Sequence, residues 1–504
     1  MQIPTPTYGL ELEKTFSGVD GSPHAVGKAY FERLAAMKQE RGENSTLKHI
    51  GVAVVGVSKP YGEEGLDNSF GLGESATGPI AEVEGGLNKL SEVVNGELRD
   101  VLASLALEDA TVINMSNHPL TLIIQEVYDR TVAPKPVYGY MRNVRGWNHI
   151  MGINGKSQNS PSVGVSAEHA VRAVNVMLGL GAGLIALYAN SPFEEGAVTG
   201  IQESRLALWD GMFGRANSAG DRRLYKPPEQ PFNNLRDYFY WMFGPDTNMY
   251  FVVTAPDGGP VKNEKGEVRL VRIDGDPSLL EYMKGEEWNG KTFETEEPVV
   301  VKPTMDHFQM HQFTQFTGAR IRYGLKDEPF PVIELVAAME ADGNEVDELF
   351  ARKGAYFYIE GRDPGANFPD KELLELPDGD QIARSVIISP AAIHAGLIRN
   401  IDAAEALVAK YGWKNLIALR DDAIKNGMDA KHNNVTAQEL CHDILEVARA
   451  GLHDDELWML AYPEFVARTG LNGATRALEA FNSLSGPTAD RIKQITEDRA
   501  IVLP

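Results

Sequence analysis

Residues Leu187–Asp210 read LYANSPFEEGAVTGIQESRLALWD and join two helical patterns through a short polar loop. The first pattern ends at Ser191-Pro192, because the residue before a proline avoids the helical backbone conformation. The second pattern carries Arg205 and Trp209, which lie one turn apart and therefore on one face of the helix. A guanidinium held there can bind a carboxylate or a phosphate through two parallel hydrogen bonds. The alternative for an isolated arginine is an ordinary surface residue whose charged end lies in solvent.

The composition indicates a large core and an acidic chain. Of 504 residues, 43% are apolar, and 71 acidic against 48 basic residues give a net charge of −23. This charge argues against non-specific binding of nucleic acid or of an anionic membrane. The length allows two to four domains, or one large core with appended helices. We expect small-molecule partners, and a homo-oligomer stays open.

The cysteine content and the apolar segments indicate a cytoplasmic protein. The single cysteine, Cys441, excludes an intrachain disulfide and cysteine-rich zinc sites, and its helical pattern predicts a buried thiol. The first residues lack the basic and apolar regions of a signal peptide. The most apolar segment, Ala173–Ala189, contains an asparagine and three glycines, so we predict a buried core helix and not a membrane span.

Strand and helix patterns follow each other irregularly, which favours a mixed α+β fold over a doubly wound sheet. The main predicted strands are Tyr8–Phe16, Ile50–Val57, Asp109–Met115, Ser162–Val165, Met249–Thr254, Arg320–Tyr323, Val332–Met339 and Tyr356–Glu360. Helices are predicted at Lys28–Arg41, at Leu87–Leu107, in the apolar segment before Ser191, at Leu235–Phe243, and throughout the chain beyond Ile382.

Glutamates spaced by two mark the first predicted strand. Glu11 and Glu13 point to the same side of a strand, while Leu12 between them can face the core. Two adjacent carboxylates repel each other unless a cation or a basic side chain lies between them. Oxygen-rich clusters of this kind suit Mg²⁺, and Glu74, in a glycine-rich segment, is a second acidic candidate. The alternative is a solvated edge strand and a surface hairpin.

Cationic side chains gather in the loop-rich residues 134–159, which carry Arg142, Arg145 and Lys156. The triplet Gly155-Lys156-Ser157 is similar to the end of a phosphate-binding P-loop. That motif requires a glycine where this sequence has Ile150, and the apolar strand that must precede it is missing. A P-loop kinase is therefore disfavoured.

Several motifs together resemble the plant-type glutamate–cysteine ligases and the wider carboxylate–amine ligase family. The family signature ANSPF-x-EG…SxR…W is similar to residues 189–209, and the family's E-x-E strand is similar to Glu11 and Glu13. Similarity continues at LRDYFYWMFGPDTNMYFVV, residues 235–253, and at HQFTQFTGARIRYG, residues 311–324. The resemblance is scattered over Tyr8–Arg362, and the helical last third contributes little to it.

The resemblance implies a fold and a division of the chain. The family has a curved, mostly antiparallel sheet that forms a cradle with helices packed outside, as in the catalytic core of glutamine synthetase. Residues 1–380 would then form the ligase core, with an inserted hairpin region at about 255–300, and residues 381–504 a helical region packed on it.

The resemblance also implies two or more Mg²⁺ ions that bridge the phosphates of ATP. The implied metal ligands are Glu11, Glu13, Glu74, Glu82 and Glu360. Glu84 competes with Glu82, because the spacing from Glu74 is longer than in the family. Glu334 competes with Glu360, which is preferred because Arg362 shares its strand face.

One family position departs from the pattern. The family carries Gln or His in the short strand near Ser162 and Gly164, and this sequence has neither there. The departure puts one metal position in doubt. His149, Gln158 and Asn159 are the candidates to replace the missing ligand, and an ordinary surface loop is the alternative for each.

The remaining implied roles concern binding and charge stabilisation. Arginines that would act in catalysis by neutralising the transferred phosphoryl group, or clamp a substrate carboxylate, are Arg205, Arg320 and Arg362. Residues expected to contact ATP or the other substrates are Arg142, Arg145, Lys156, Trp209, Met249, Tyr250 and Arg322.

The implied activity is the ATP-dependent joining of glutamate to cysteine through a γ-glutamyl phosphate, the first step of glutathione biosynthesis. Such chemistry depends on positioning and charge stabilisation more than on covalent help from the protein. Two alternatives stay open. One is a related ligase that uses another acid or another amine, and the other is a catalytically silent protein that binds small molecules.

Overall fold

A nine-stranded antiparallel sheet is the centre of the molecule. The structure is a computed structural model and describes residues 6–213, 223–247, 249, 251–254, 269–325 and 330–504. Its strands are β1 (Thr7–Gly18), β2 (Leu47–Ile50), β3 (Ala53–Lys59), β4 (Gly62–Leu66), β5 (Leu72–Ala81), β6 (Ala110–Val112), β7 (Asn159–Val165), β8 (Phe193–Glu194), β9 (Ala197–Val198), β10 (Val252–Thr254), β11 (Arg269–Ile273), β12 (Trp288–Thr292), β13 (Pro298–Val301), β14 (Ala319–Gly324), β15 (Tyr356–Gly361), β16 (Lys431–His432) and β17 (Val435–Thr436). The large sheet has the order β14-β15-β7-β1-β5-β4-β3-β2, and β6 pairs with one end of β1.

Helices cover the sheet and make up most of the last third of the chain. They are α1 (Lys28–Glu40), α2 (Gly86–Ala106), α3 (Gln125–Thr131), α4 (Pro136–Asn143), α5 (Ala167–Tyr188), α6 (Ser204–Phe213), α7 (Leu235–Phe243), α8 (Leu279–Lys284), α9 (Met305–His311), α10 (Val332–Glu340), α11 (Glu345–Arg352), α12 (Lys371–Leu374), α13 (Gly379–Ser385), α14 (Ser389–Arg399), α15 (Ile401–Tyr411), α16 (Trp413–Asn426), α17 (Ala437–Gly451), α18 (Ala461–Thr469), α19 (Gly473–Ser483) and α20 (Thr488–Asp498). The predicted mixture of helices with an antiparallel sheet is confirmed, whereas the curved cradle and the likeness to glutamine synthetase remain predictions.

The central strand β1 has two chemically different faces. Successive side chains of a strand alternate between the faces of its sheet, so Glu11 and Glu13 share one face while Leu12 and Lys14 share the other. Lys14 is fully buried, and its Nζ lies 3.1 Å from the Glu64 Oε2. The glutamate face is therefore left for a site, while the lysine face belongs to the core.

The apolar helix α5 is a buried core helix, as predicted. It is long and apolar enough to span a membrane, but 89% of its most apolar window is buried inside the protein. Three glycines let neighbours approach closely: a Cβ on Gly181 would lie 2.2 Å from the Asp363 Oδ2, and one on Gly183 would lie 2.4 Å from the Ile444 Cδ1. The helix packs against α16 and α17 on one side and β14 and β15 on the other. Cys441 of α17 is buried, as predicted.

Two secondary-structure predictions need correction or completion. Val332–Met339 was predicted as a strand but forms α10, because Leu335, Ala338 and Met339 recur at helical spacing and are the residues it buries. The predicted hairpin region contains β11, α8 and β12, and its two strands join β10 and β13 in a separate four-stranded antiparallel sheet. Residues 255–268 of that region lie outside the described residues.

Candidate active site

A cavity of about 1500 Å³ lies over the glutamate face of the large sheet. Its floor comes from β1, β5, β7, β14 and β15, and its walls come from α4, α6 and the segments around them. The cavity brings together most of the residues that the sequence singled out. These are Glu11, Glu13, Glu74, Lys156, Arg205, Trp209, Arg320, Arg322, Glu360 and Arg362.

Three carboxylates meet on the cavity floor. Glu13 of β1 lies directly opposite Glu74 of β5, and Glu11 stands two residues before Glu13 on the same face. One carboxylate oxygen from each of the three lies within 4.8 Å of the others. Glu13 is 6% exposed, and Glu11 and Glu74 are half-buried. We call Glu11, Glu13 and Glu74 the acidic trio.

The surroundings of the acidic trio disfavour the ionised form of its three carboxyl groups. Burial raises the pKa of the Glu13 carboxyl well above its usual range, and the charges of Asp67 and Glu11 raise it further. Burial also raises the pKa of Glu74 strongly, with Glu11 and Asp67 adding to the effect. The pKa of Glu11 is raised by burial and by Glu360. A bound cation would relieve this repulsion, because it favours the ionised form of all three groups.

Asp67 is an acidic residue of the cavity that the sequence did not single out. It follows β4, and its carboxylate oxygen Oδ1 accepts a hydrogen bond from the Tyr138 hydroxyl at 3.3 Å. Lys135 lies 3.9 Å from the same oxygen. The periodicity of the sequence could not single out Asp67, because this residue lies in a turn. Its position depends on the pairing of β4 with β5.

A cluster of three arginines lies beside the acidic trio, on β14 and after β15. Arg320 donates to the Glu360 Oε1 at 2.7 Å, Arg362 donates to the same oxygen at 3.0 Å, and Arg322 lies 3.6 Å from the Oε2. Burial alone would raise the pKa of Glu360, but the three arginines more than offset it and hold the pKa well below its usual range. We call Arg320, Arg322 and Arg362 the arginine cluster.

The arginine cluster has spare donors. Within the described part of the chain, Arg320 Nε, Arg322 Nε and Nη1, and Arg362 Nε are buried without a hydrogen-bond partner. Three guanidiniums around one carboxylate leave an excess of positive charge. Arg322 also lies over the Phe313 ring, with its Cζ 3.9 Å from the ring centroid. The cluster can therefore bind an anion. Glu360 lies on the cavity floor between the arginine cluster and the acidic trio.

Arg205 is bonded almost entirely to the protein. Its Nε donates to Glu203 at 3.0 Å, its Nη1 donates to the Gln158 Oε1 at 3.1 Å, and its Nη2 donates to the backbone oxygens of Arg362 and Asp363. The side chain is about 4% exposed. Burial lowers the pKa of the Arg205 guanidinium, an effect that Glu203 opposes. Arg205 therefore braces the cavity wall.

Two further predicted residues line the wall. Lys156 is buried and pairs with Glu194, the two charged atoms being 3.1 Å apart. Trp209 packs against Phe316, with ring centroids 4.9 Å apart. The indole Nε1 of Trp209 has no hydrogen-bond partner among the described residues, so it can donate to a ligand.

Several predicted residues lie away from the cavity floor. Glu82 accepts from Arg399 of α14 at 2.9 Å and lies 3.2 Å from His453, because the turn after β5 carries it towards the C-terminal helices. Glu84 is exposed and accepts from the Ala81 backbone. Glu334 pairs with Lys353 on the surface. None of the three joins the acidic trio.

The other displaced residues come from the cationic loop and from the segment after α7. Arg142 donates to Gln125 and lies over the Tyr128 ring. Arg145 pairs with Asp276 and donates to the backbone oxygen of Met249, which is buried. Arg142 therefore packs on α3, Arg145 braces the segments beside the small sheet, and neither lines the cavity. Tyr250 lies outside the described residues.

Gln158 is the one candidate for the missing family ligand that touches the acidic trio. Its backbone nitrogen donates to the Glu13 Oε2 at 3.0 Å, and its Nε2 donates to the Glu13 Oε1 at 3.1 Å. His149 instead bonds to the Tyr128 hydroxyl, and Asn159 donates to the backbone oxygen of Asn367. All three are buried, so the alternative of a surface loop is wrong.

The family model of glutamate–cysteine ligase family 2 matches residues 74–234. This stretch contains Glu74, Gln158 and the whole of the Leu187–Asp210 motif, so the resemblance seen in the sequence is confirmed. The match supports a carboxylate–amine ligase driven by ATP. No curated protein matches the sequence.

Three solved structures are similar to the chain at low identity. Glutamate–cysteine ligase from Francisella tularensis in complex with AMP has 11% identity and a TM-score of 0.43, with 99% of this chain and 90% of that chain covered. A bifunctional glutathione synthetase from Pasteurella multocida has 12% identity and a TM-score of 0.42, covering 98% and 52%. The Pup ligase PafA, in complex with Pup, has 11% identity and a TM-score of 0.34, covering 98% and 72%. Similarity at this level does not carry over an activity.

Proposed function

We propose that this protein is an ATP-dependent ligase that joins the γ-carboxylate of glutamate to an amine, with cysteine as the first candidate amine. One observation carries the proposal: the acidic trio, on β1 and β5, and the arginine cluster, on β14 and after β15, share the floor of one large cavity on the same sheet. The family match over residues 74–234 supports the same chemistry. Cysteine is proposed because it is the substrate in the family's name.

The residues of the acidic trio fit Mg²⁺. All three offer carboxylate oxygens, the ligand type that Mg²⁺ prefers. Burial raises the pKa of each carboxyl, neighbouring carboxylates raise it further, and a bound cation would oppose both effects. Bound there, Mg²⁺ would supply charge neutralisation for the phosphates of ATP. Glu360 lies next to the trio and stays a proposed further ligand. We leave Glu82 out, since its carboxylate is held by Arg399.

The arginine cluster would bind and neutralise the transferred phosphoryl group. Arg320, Arg322 and Arg362 are held in place by Glu360, and each keeps a buried donor that has no hydrogen-bond partner among the described residues. Donors that are fixed before the reaction stabilise developing charge without having to reorganise. We assign them to the oxygens of the γ-phosphoryl group.

The proposed reaction balances in two steps. An oxygen of the glutamate γ-carboxylate attacks the γ-phosphorus of ATP, the bond to the bridging oxygen breaks, and ADP leaves. The amine nitrogen then attacks the γ-carbonyl carbon, the carbon–oxygen bond to phosphate breaks, and the nitrogen loses a proton. The products are an amide, ADP and phosphate.

The test is the release of ADP by the purified protein with Mg-ATP, glutamate and a panel of amines that includes cysteine, with mass detection of the products. Formation of γ-glutamylcysteine would support the full proposal. Turnover with a different amine or acid would keep the chemistry and change the substrate, an outcome that the absent Gln or His near Gly164 makes worth testing. Absence of ADP release from folded protein under all these conditions would overturn the proposal and leave a binding protein.

A further inference from the structure

The motif at Leu187–Asp210 forms a chain of hydrogen bonds that ends at a member of the acidic trio. The chain starts at Asn190, whose backbone nitrogen donates to the Glu203 Oε2 at 2.7 Å. Glu203 accepts from the Arg205 Nε, and the Arg205 Nη1 donates to the Gln158 Oε1. Gln158 then donates twice to Glu13.

We infer that Arg205 is a positioning residue that acts through Gln158 to hold the Glu13 carboxylate in place, and that this pair sets the affinity of the acidic trio for a divalent cation. The inference rests on the proposed function, because it takes the acidic trio as the cation site. It changes the role predicted for Arg205, from a clamp on substrate to a brace behind the metal ligands.

The geometry explains why Glu13 needs such a brace. Glu13 faces Glu74 across the β1–β5 pairing, and repulsion between the two carboxylates favours rotation of one of them away from the other. Gln158 opposes that rotation, since it places one donor on each oxygen of the Glu13 carboxylate. Each of these oxygens keeps lone pairs for a cation.

Arg205 fixes which way the Gln158 amide points. A glutamine side chain can present either its oxygen or its nitrogen to a neighbour. The Arg205 guanidinium can only donate, so it selects the Gln158 oxygen and leaves the amide nitrogen for Glu13. The backbone oxygens of Arg362 and Asp363 bind the other end of the guanidinium, at 3.0 and 2.9 Å, and prevent it from turning.

Residues that hydrogen-bond to a metal ligand, and so orient it, affect metal affinity by a typical amount. Loss of such a partner typically lowers metal affinity or activity 10- to 100-fold. Gln158 is 1% exposed and Arg205 is 3% exposed, so water cannot easily replace either one. We therefore expect an effect of about 10-fold or more on cation affinity.

The experiment measures Mn²⁺ binding to the full-length protein by electron paramagnetic resonance, without nucleotide. Gln158→Met keeps the length of the side chain and removes its amide. Arg205→Lys keeps the positive charge and removes the guanidinium group with its several N–H donors. Each is expected to raise the Kd for Mn²⁺ about 10-fold. The double variant is expected to bind no more weakly than Gln158→Met alone, because Arg205 acts through Gln158. Gln438→Met on α17 and Arg384→Lys on α13, both away from the cavity, are the matched controls.

The outcomes separate this inference from the proposed function. If Gln158→Met binds Mn²⁺ as tightly as the wild-type protein does, and the wild-type protein releases ADP normally, the positioning role of Gln158 and Arg205 is wrong and the proposed ligase activity is unaffected. Additive losses in the double variant, or an Arg205→Lys variant with a raised KM for substrate and an unchanged Kd for Mn²⁺, would return Arg205 to a substrate clamp. Failure of the wild-type protein to bind Mn²⁺ would overturn the cation site and the brace together.

Discussion

Glu13 and Glu74 lie directly opposite each other across the pairing of β1 and β5, with one carboxylate oxygen of each within 4.8 Å of the other. Structural ion pairs place opposite charges together, as Lys14 of β1 and Glu64 of β4 do on the other face of the sheet. Two like charges kept side by side in a cavity cost stability unless a ligand uses them. We therefore expect this pair to lower the stability of the ligand-free protein and to take part in binding.

Glu74→Gln should make the metal-free protein more stable at pH 8 and abolish stabilisation by Mg²⁺. The pKa of Glu74 is raised in the folded state, so its ionisation at high pH opposes folding, and the neutral amide removes that cost. Thermal unfolding in EDTA and in Mg²⁺ measures both effects. Glu92→Gln, at an exposed position of α2, is the control. A lower melting temperature of Glu74→Gln in EDTA would contradict this reading of the trio.

Arg320→Gln should lower kcat/KM for ATP by about 100-fold or more, the usual cost of losing one fixed donor at a reacting group. The substitution also leaves Glu360 with two arginines in place of three. Steady-state ADP release as a function of ATP concentration is the measurement. Arg384→Gln on α13 removes an exposed arginine and should leave kcat/KM unchanged. An equal loss in both variants would point to damage to the fold and not to the cluster.

The free energy of unfolding should fall as the pH drops from about 6.5 towards 4. Burial lowers the pKa of His118 to about 4, and it does the same for His149, His307, His311 and His394. The unfolded chain then binds more protons than the folded one in this window, so stability is present above the unfolded pKa and is lost below it. Each histidine contributes about 1.4 kcal/mol per pH unit.

Urea unfolding at pH 7.5 and pH 5.5 measures this dependence. His118→Gln should reduce the loss of stability between the two pH values by about 1 kcal/mol. His49 lies on an edge strand and is exposed, so His49→Gln is the control and should not change the loss. A wild-type protein that is equally stable at both values would contradict the neutral, buried state of these histidines.

Gly181→Ala should destabilise the protein by roughly 1–3 kcal/mol, the usual cost of adding an atom to a packed core. The added carbon would lie 2.2 Å from the Asp363 Oδ2, and Asp363 also accepts from Arg205 and Arg420. Activity should fall with stability because the shift reaches the cavity wall. Gly96→Ala in α2 meets nothing within 4 Å and should stabilise the helix by up to about 1 kcal/mol. Thermal melting of the two variants gives the comparison, and opposite signs are the expected result.

Local patterns in the sequence predicted much of this arrangement. The two-residue spacing of Glu11 and Glu13 requires only that β1 be a strand, so both were placed on one face. Glu360 at the end of β15 and Arg362 just after it come together, as the resemblance to the ligase family implied. The spacing of Glu11 and Glu13 depends only on a short stretch of chain, and periodicity alone is sufficient to find it.

Features that depend on tertiary pairing were missed. A turn positions Asp67 in the cavity, and another turn positions Glu82 outside it. The positions of both side chains therefore could not be predicted from their spacing in the sequence. Val332–Glu340 is rich in residues that favour strands, and its helical form follows from what it buries. The hydrogen bonds of Arg205 join residues that are 47 and 158 positions apart in the chain.

The position of α5 also has a consequence for how the chain is made. During synthesis on the ribosome, this apolar helix emerges roughly 260 residues before the end of α17, one of the helices that cover it. At about 5–20 residues per second, the nascent chain presents an uncovered hydrophobic segment for some tens of seconds. The amino-terminal part therefore cannot complete its core until the last third has been translated. A premature stop codon in that third would leave an aggregation-prone product.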